Sequence, residues 1–226
     1  IYRIKNMVET ANPLTKFYRQ PSIYITLPTR GKYYGADVFT STETGEIPIL
    51  PMTARDELLF KTPDAMMNGQ ATVDVIKSCV PNFRDPWQIV NYDIDVILIA
   101  IRIATYGELM DIDFRVPVTN ESMVQSVNLP TLLEQLKNKS ITESFKTPDG
   151  MEIFVKPLSY KTLTKVQQAQ FEQEKLYATV SNSNLTDLEK SQQFVKSYYA
   201  LNTINFDLLS ESIAKIKLTD GTEVVD

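Results

Sequence analysis

The chain has 226 residues, with 23 Lys and Arg against 28 Asp and Glu, a formal net charge of -5, and 43% hydrophobic residues. That suffices for one large domain or two small ones with a substantial core, and the acidic balance excludes long-range attraction to phosphate backbones or anionic membranes. The absence of histidine removes the usual Ser-His-Asp and Cys-His sets and most catalytic zinc sites, and the single cysteine, Cys79, excludes an internal disulfide and suits a reducing compartment.

In chain order, the residues up to about Gln20 show no clear period and read as an arm or irregular lead-in. They lack the apolar core of a signal peptide, and the missing initiator methionine is expected of a portion trimmed from a longer product. Ile23 to Leu27 reads as a strand stopped by the turn Pro28-Thr29-Arg30-Gly31. Lys32-Tyr33-Tyr34 and Asp37 to Thr42 are expected to be extended, and Thr44-Gly45-Glu46 turns the chain into Ile47 to Pro51. Together these predict a small β-hairpin or β-meander, with Pro48 and Pro51 suited to an edge.

Thr53 is a good N-cap for a helix Ala54 to Phe60, with Asp56 and Glu57 where carboxylates favour a helix start. A further helical turn from Thr62-Pro63-Asp64 ends near Asn68-Gly69. Ala71 to Val80 sets Val73, Ile76 and Val80 at helical spacing before Pro81 stops it. Cys79 lies on or beside that apolar face and reads as a small core residue, not a nucleophile. Trp87 reads as a packing anchor.

The stretch Tyr92 to Gly107 is the most continuously apolar of the chain, interrupted only by Asp95, Ala100 and Arg102 among its branched residues. Its length and terminal glycine predict a helix buried nearly all round, with Asp93 near its start and Asp95 and Arg102 sharing one narrow face. Asp95 is read as a partner of Arg102 or of another subunit. The stretch is too short and too charged to span a bilayer.

After Gly107, Met110 to Val116 alternates as a half-buried strand whose partner carries Met123, Val124 and Val127. Leu129 to Leu136 reads as a short helix with Pro130 in its first turn. Ile141 to Phe145 and Met151 to Val155 flank the hairpin signal Thr147-Pro148-Asp149-Gly150. Lys161 to about Thr179 is a polar helix with a thin stripe, Leu163, Val166, Phe171 and Leu176, which either lies on its own domain's surface or serves as a partner-docking element. It is followed by a loop, Val180 to Asn184, and a helix capped by Thr186-Asp187 that reaches toward Leu209. A last hairpin, Ile216 to Val225, ends abruptly at Asp226, as in a chain that continues. The expected fold is α+β: an N-terminal β-meander and helical core over 1–107, a β-hairpin region over 108–157, and a helical part with its terminal hairpin over 158–226, all of which can form one domain.

Candidate chemistry is sparse. The carboxylate pairs Asp93/Asp95 and Asp111/Asp113 invite a hydrolase reading, but Asp111 and Asp113 fall on the solvent face of their strand and Asp93 at a helix start. Gly31, Gly35 and Gly45 are isolated and form no phosphate cradle. Arg30, Lys32, Tyr33 and Tyr34 make a small basic-aromatic cluster that reads as packing on the core or on a partner, and Tyr198-Tyr199 also read as packing. No catalytic, cofactor-binding or metal-binding residue is assigned, and no one surface is singled out for a partner.

The strings Leu27-Pro28-x-x-Gly31-x-x-Tyr34, Gly45-Glu46-Ile47, Pro51-Met52-Thr53-Ala54-Arg55-Asp56-Glu57, Val75-Ile76-x-Ser78-Cys79, Asp93-x-Asp95-x-x-x-Leu98 and Thr105-Tyr106-Gly107 follow in that order. Together, over roughly Ile23 to Lys137, they resemble the T-even-type phage baseplate hub proteins, the gene product twenty-six family. The resemblance implies a non-enzymatic structural protein in or on the central hub of a contractile tail baseplate. It would be assembled in the host cytoplasm and carried in the virion, and its partners would be other tail and hub proteins or further copies of itself, not nucleic acid or membrane. The alternative within the same resemblance is a hub assembly chaperone absent from the finished particle. The third reading is the carboxylate-pair hydrolase. Relatives carry a cysteine-pair knuckle after the Tyr-Gly, as in a small zinc ribbon. Val116 to Ser122 has no cysteine, so no metal site is carried over.

Overall fold

A computed structural model describes residues 19–117, 119–181 and 186–225, so most of the expected N-terminal arm and of the 180–184 loop lie outside the described residues. Strands β1 (Ile23–Thr26) and β2 (Glu46–Ile49) pair antiparallel, with Ile25 opposite Ile47. Ile25, Ile47 and Ile49 are buried while Tyr24 is exposed, the period of two that a half-buried pair requires. The middle of the expected meander does not extend. Residues 27–45 run through successive turns, and Phe39 makes only an isolated bridge with Phe83. Left-handed Arg30 (φ 52°) and Gly31 (φ 77°) reverse the backbone there, and Tyr34 and Phe39 fold inward onto Phe83, with ring centroids 5.3 and 4.8 Å away.

Three helices follow: α1 (Ala54–Leu59), α2 (Pro63–Met67) and α3 (Gln70–Cys79). Thr53 and Asp56 close a reciprocal capping box on α1. A 3-10 turn, Pro86–Gln88, leads into α4 (Asn91–Tyr106), of which only Asp95 and Tyr106 are exposed. A β-branched residue costs a helix at most about 0.7 kcal/mol. Burying a large aliphatic side chain returns about 1.5–3 kcal/mol. Burial therefore decides the conformation of this isoleucine-rich stretch. Asp95 and Arg102 form no ion pair; the Arg102 guanidinium instead lies over the Tyr106 ring, 4.5 Å from its centroid. Gly107 stops the helix at φ 91°.

Strands β3 (Leu109–Arg115) and β4 (Ser122–Asn128) form a seven-residue antiparallel hairpin. It was expected to be half-buried and is not: Ile112 and Phe114 remain 41% and 40% exposed. Among the described residues no element is packed over its far end, and only Met110 and Val127, at its base, reach the core. Helix α5 (Leu129–Lys137), capped by the Asn128 side chain, buries Leu129 and Leu133 against α4.

The two remaining predicted hairpins are one structure. Strands β5 (Ser144–Lys146), β6 (Glu152–Val155), β7 (Ile213–Lys217) and β8 (Glu223–Val225) make a four-stranded antiparallel sheet in that order, with Ile153 opposite Ile216 joining its halves. The chain between β6 and β7 is a helical hairpin, α6 (Tyr160–Ser181) and α7 (Asp187–Ser212). Its base is fixed to the core: Tyr160 stacks on Trp87 at 5.8 Å and donates its backbone N–H to the Ile89 carbonyl at 2.7 Å. Among the described residues no helix is long and apolar enough to cross a membrane.

Candidate functional site: buried carboxylates and two uncovered apolar surfaces

The helical turn separates the first carboxylate pair. Residues two apart on a helix point some 200° apart, so Asp93 is buried and Asp95 is exposed. Asp93 accepts the Thr29 backbone N–H (3.0 Å), the Thr29 hydroxyl (2.5 Å) and the Tyr34 hydroxyl (2.6 Å). The Tyr34 oxygen accepts in turn from the Val90 N–H at 3.2 Å. Burial pushes the Asp93 pKa up, and the Thr29 and Tyr34 hydrogen bonds pull against it. Burial and the Asp93 charge both push Tyr34 up. Three donors aimed at one carboxylate, with no exposed surface for a substrate, make a structural clasp between the turn-rich 27–45 segment and the start of α4.

A second clasp holds α1 to α3. Asp56 accepts from Ser78 Oγ at 3.0 Å and pairs with Arg19 at 3.3 Å, while Arg19 also donates to the Ser78 carbonyl. Cys79 beside it is wholly buried, and burial pushes its thiol up to about 11, away from the thiolate a nucleophile needs.

Asp111 and Asp113 do share a face of β3, as strand alternation dictates, but they stand in solvent, Asp111 accepting from the Ser126 hydroxyl. The basic-aromatic cluster is dispersed as well. Lys32 pairs with Glu143 at 2.5 Å, Tyr33 reaches the same carboxylate at 3.4 Å, and Tyr34 points into the core. Among the described residues no three acidic, cysteine or histidine side chains converge to hold an ion.

What the surface presents is apolar area. Tyr198 and Tyr199, expected to pack, are 65% and 66% exposed on α7 beside Leu188, Val195, Phe206 and Leu209. The expected α6 stripe divides: Leu163 and Val166 are partly covered, Phe171 and Leu176 open. Tyr177 and Phe194 pack as tilted rings between the helices, centroids 4.5 Å apart, and, with Tyr198 and Leu201, line an open apolar cavity of about 280 Å³. The second uncovered surface is the hairpin face carrying Ile112, Phe114 and Met123. Sequence reading missed both, although the seven-residue recurrence of apolar residues along α7 was available to find the first.

The profile of the family described as T4 bacteriophage base plate protein matches residues 20–226. The chain belongs to that family. Comparison with curated proteins and with solved structures returns no match. The match takes in α6, α7 and the four-stranded sheet, well beyond the Ile23 to Lys137 stretch of the motif strings. Two of those strings meet in space in this baseplate protein: the one ending at Tyr34 supplies the donors that Asp93, opening another, accepts. As a phage baseplate component it belongs to the virion tail and works among other tail proteins.

Proposed function

We propose that this baseplate protein is a non-enzymatic structural subunit in or on the central hub of a contractile tail, acting by protein–protein contact. The observation that carries the reading is the uncovered apolar surface of α7, where six large side chains from Leu188 to Leu209 each stay more than half exposed. A soluble protein exposes contiguous apolar area of that kind where something else covers it in the assembled state. The candidate acids favour the same reading, since Asp93 is buried in a clasp and Asp95, Asp111 and Asp113 are open to solvent. Quantitative mass spectrometry of purified mature tails tests it. Peptides of this chain at a fixed ratio to known tail proteins are the expected result. Their absence from tails, with the chain present in infected-cell lysate, makes it an assembly chaperone instead.

A further inference from the structure

Helix α7 carries apolar stripes on two opposite faces. Phe194, Leu201, Ile204 and Leu208, half-buried, turn toward α6. On the other side Leu188, Val195, Asn202 and Leu209 recur every seven residues, and Gln192, Tyr199 and Phe206 recur every seven in the gaps, four after one and three before the next. That alternation is the seam of a left-handed coiled coil, running about 33 Å at 1.5 Å per residue. A helix in its own fold needs one apolar stripe; a second, opposite stripe with a 3.5-residue period fits another helix.

We propose that the seam takes a second copy of this chain, α7 against α7, parallel and in register about a two-fold axis. Polar matching favours the self-pairing. In register, Asn202 faces Asn202 and Gln192 faces Gln192, so neither amide is buried against an apolar side chain. Charge matching favours the parallel sense. The flanking positions then juxtapose Ser191 with Lys196, Tyr198 with Thr203, and Asn205 with Ser210, with no like-charge pair. An antiparallel pairing that set Gln192 against Asn202 would bring Lys196 against its own copy. The area is sufficient: of the seam aromatics, Tyr199 and Phe206 are 66% and 69% exposed. At about 150–250 Å² per aromatic side chain, two copies bury roughly 400–700 Å² from these rings alone, and Leu188, Val195 and Leu209 bring the total to the ~1,000 Å² of a specific interface. Helix α6 lies on the opposite side of α7 and leaves the seam open.

The inference rests on α7 and not on hub placement, so it can fail while the tail composition stands, and the reverse. Sedimentation analysis of the purified full chain at micromolar concentration is expected to give a dimer. Val195→Glu and Phe206→Glu, both on the exposed face, are expected to weaken it about tenfold or more with unchanged helical circular dichroism. Asn202→Cys is expected to cross-link to itself on oxidation and Gln193→Cys is not, with Cys79 silent because it is buried. A wild-type monomer overturns the proposal, as does a dimer indifferent to both glutamates. Cross-linking only between Val195→Cys and Tyr199→Cys chains overturns the parallel register. A monomer whose glutamate variants no longer enter tails assigns the seam to another protein's helix and overturns the second copy.

Discussion

The Tyr34 hydroxyl donates to the Asp93 carboxylate at 2.6 Å, joining a turn-rich segment to the first turn of a helix 59 residues later. The same carboxylate holds both Thr29 donors, so one side chain fixes the path of the chain between the first two strands. Asp93→Ala leaves these donors buried without an acceptor. At about 1–3 kcal/mol for each unsatisfied group, partly relieved by local rearrangement, a loss of roughly 2–4 kcal/mol is expected. Urea unfolding checks it; a midpoint within error of wild type would remove the clasp from the account of the fold.

Asp56 sets an acid-side dependence of stability. Burial pushes its pKa up, but the Thr53 N–H and hydroxyl, the Ser78 hydroxyl and the Arg19 charge outweigh burial and hold it below the ordinary aspartate value. In the window between that lowered value and the unfolded value of about 3.9, the unfolded chain holds more protons, so stability rises with pH. The contribution is complete above the window and is lost as pH falls through the folded value. Asp93, whose folded pKa is raised, slopes the other way just above about pH 3.9. Unfolding free energies of wild type and Asp56→Asn, read from urea titrations, are expected to differ by about 1 kcal/mol or more near neutrality, the worth of the cap, and to converge in acid.

Gly69 is the seat of the helical hairpin. It caps α3 at φ 76°, and an added Cβ would lie 3.0 Å from Thr164 and 3.2 Å from the Tyr160 hydroxyl on α6. Gly69→Ala is expected to cost the ~1–3 kcal/mol of a left-handed non-glycine residue and to crowd α6 as well. Gly45→Ala, at φ 74° with nothing within 4 Å, carries the backbone cost alone. The excess of the first loss over the second, read from thermal unfolding, measures the crowding; equal losses would mean that α6 yields without cost.

Asp111→Asn with Asp113→Asn is expected to leave stability within about 0.5 kcal/mol, as for exposed substitutions, and to leave phage infectivity unchanged. Plaque counts on complemented phage check it. Loss of infectivity with an accompanying loss of wall-degrading turnover would restore the carboxylate-pair reading.

Local rules were enough for much of this fold. Thr53 and Thr186 were legible as N-caps, Gly107 as a helix stop, and Thr147 to Gly150 as a turn, because each depends on a few neighbouring residues. The run from Tyr92 to Gly107 required a buried helix, since no other element could hide so many branched side chains at that length. The family was legible too, in the order of six short strings. Tertiary structure alone decided the rest. No period announces that Ile153 will pair with Ile216 across the helical hairpin, because a ladder is made between backbones distant in sequence. Strand alternation predicted a half-buried β3, but burial needs a second surface, and among the described residues none is packed over its far end. Helix α7 shows the same limit: its two apolar stripes are both written in the sequence, and only the position of α6 determines which of them is left uncovered.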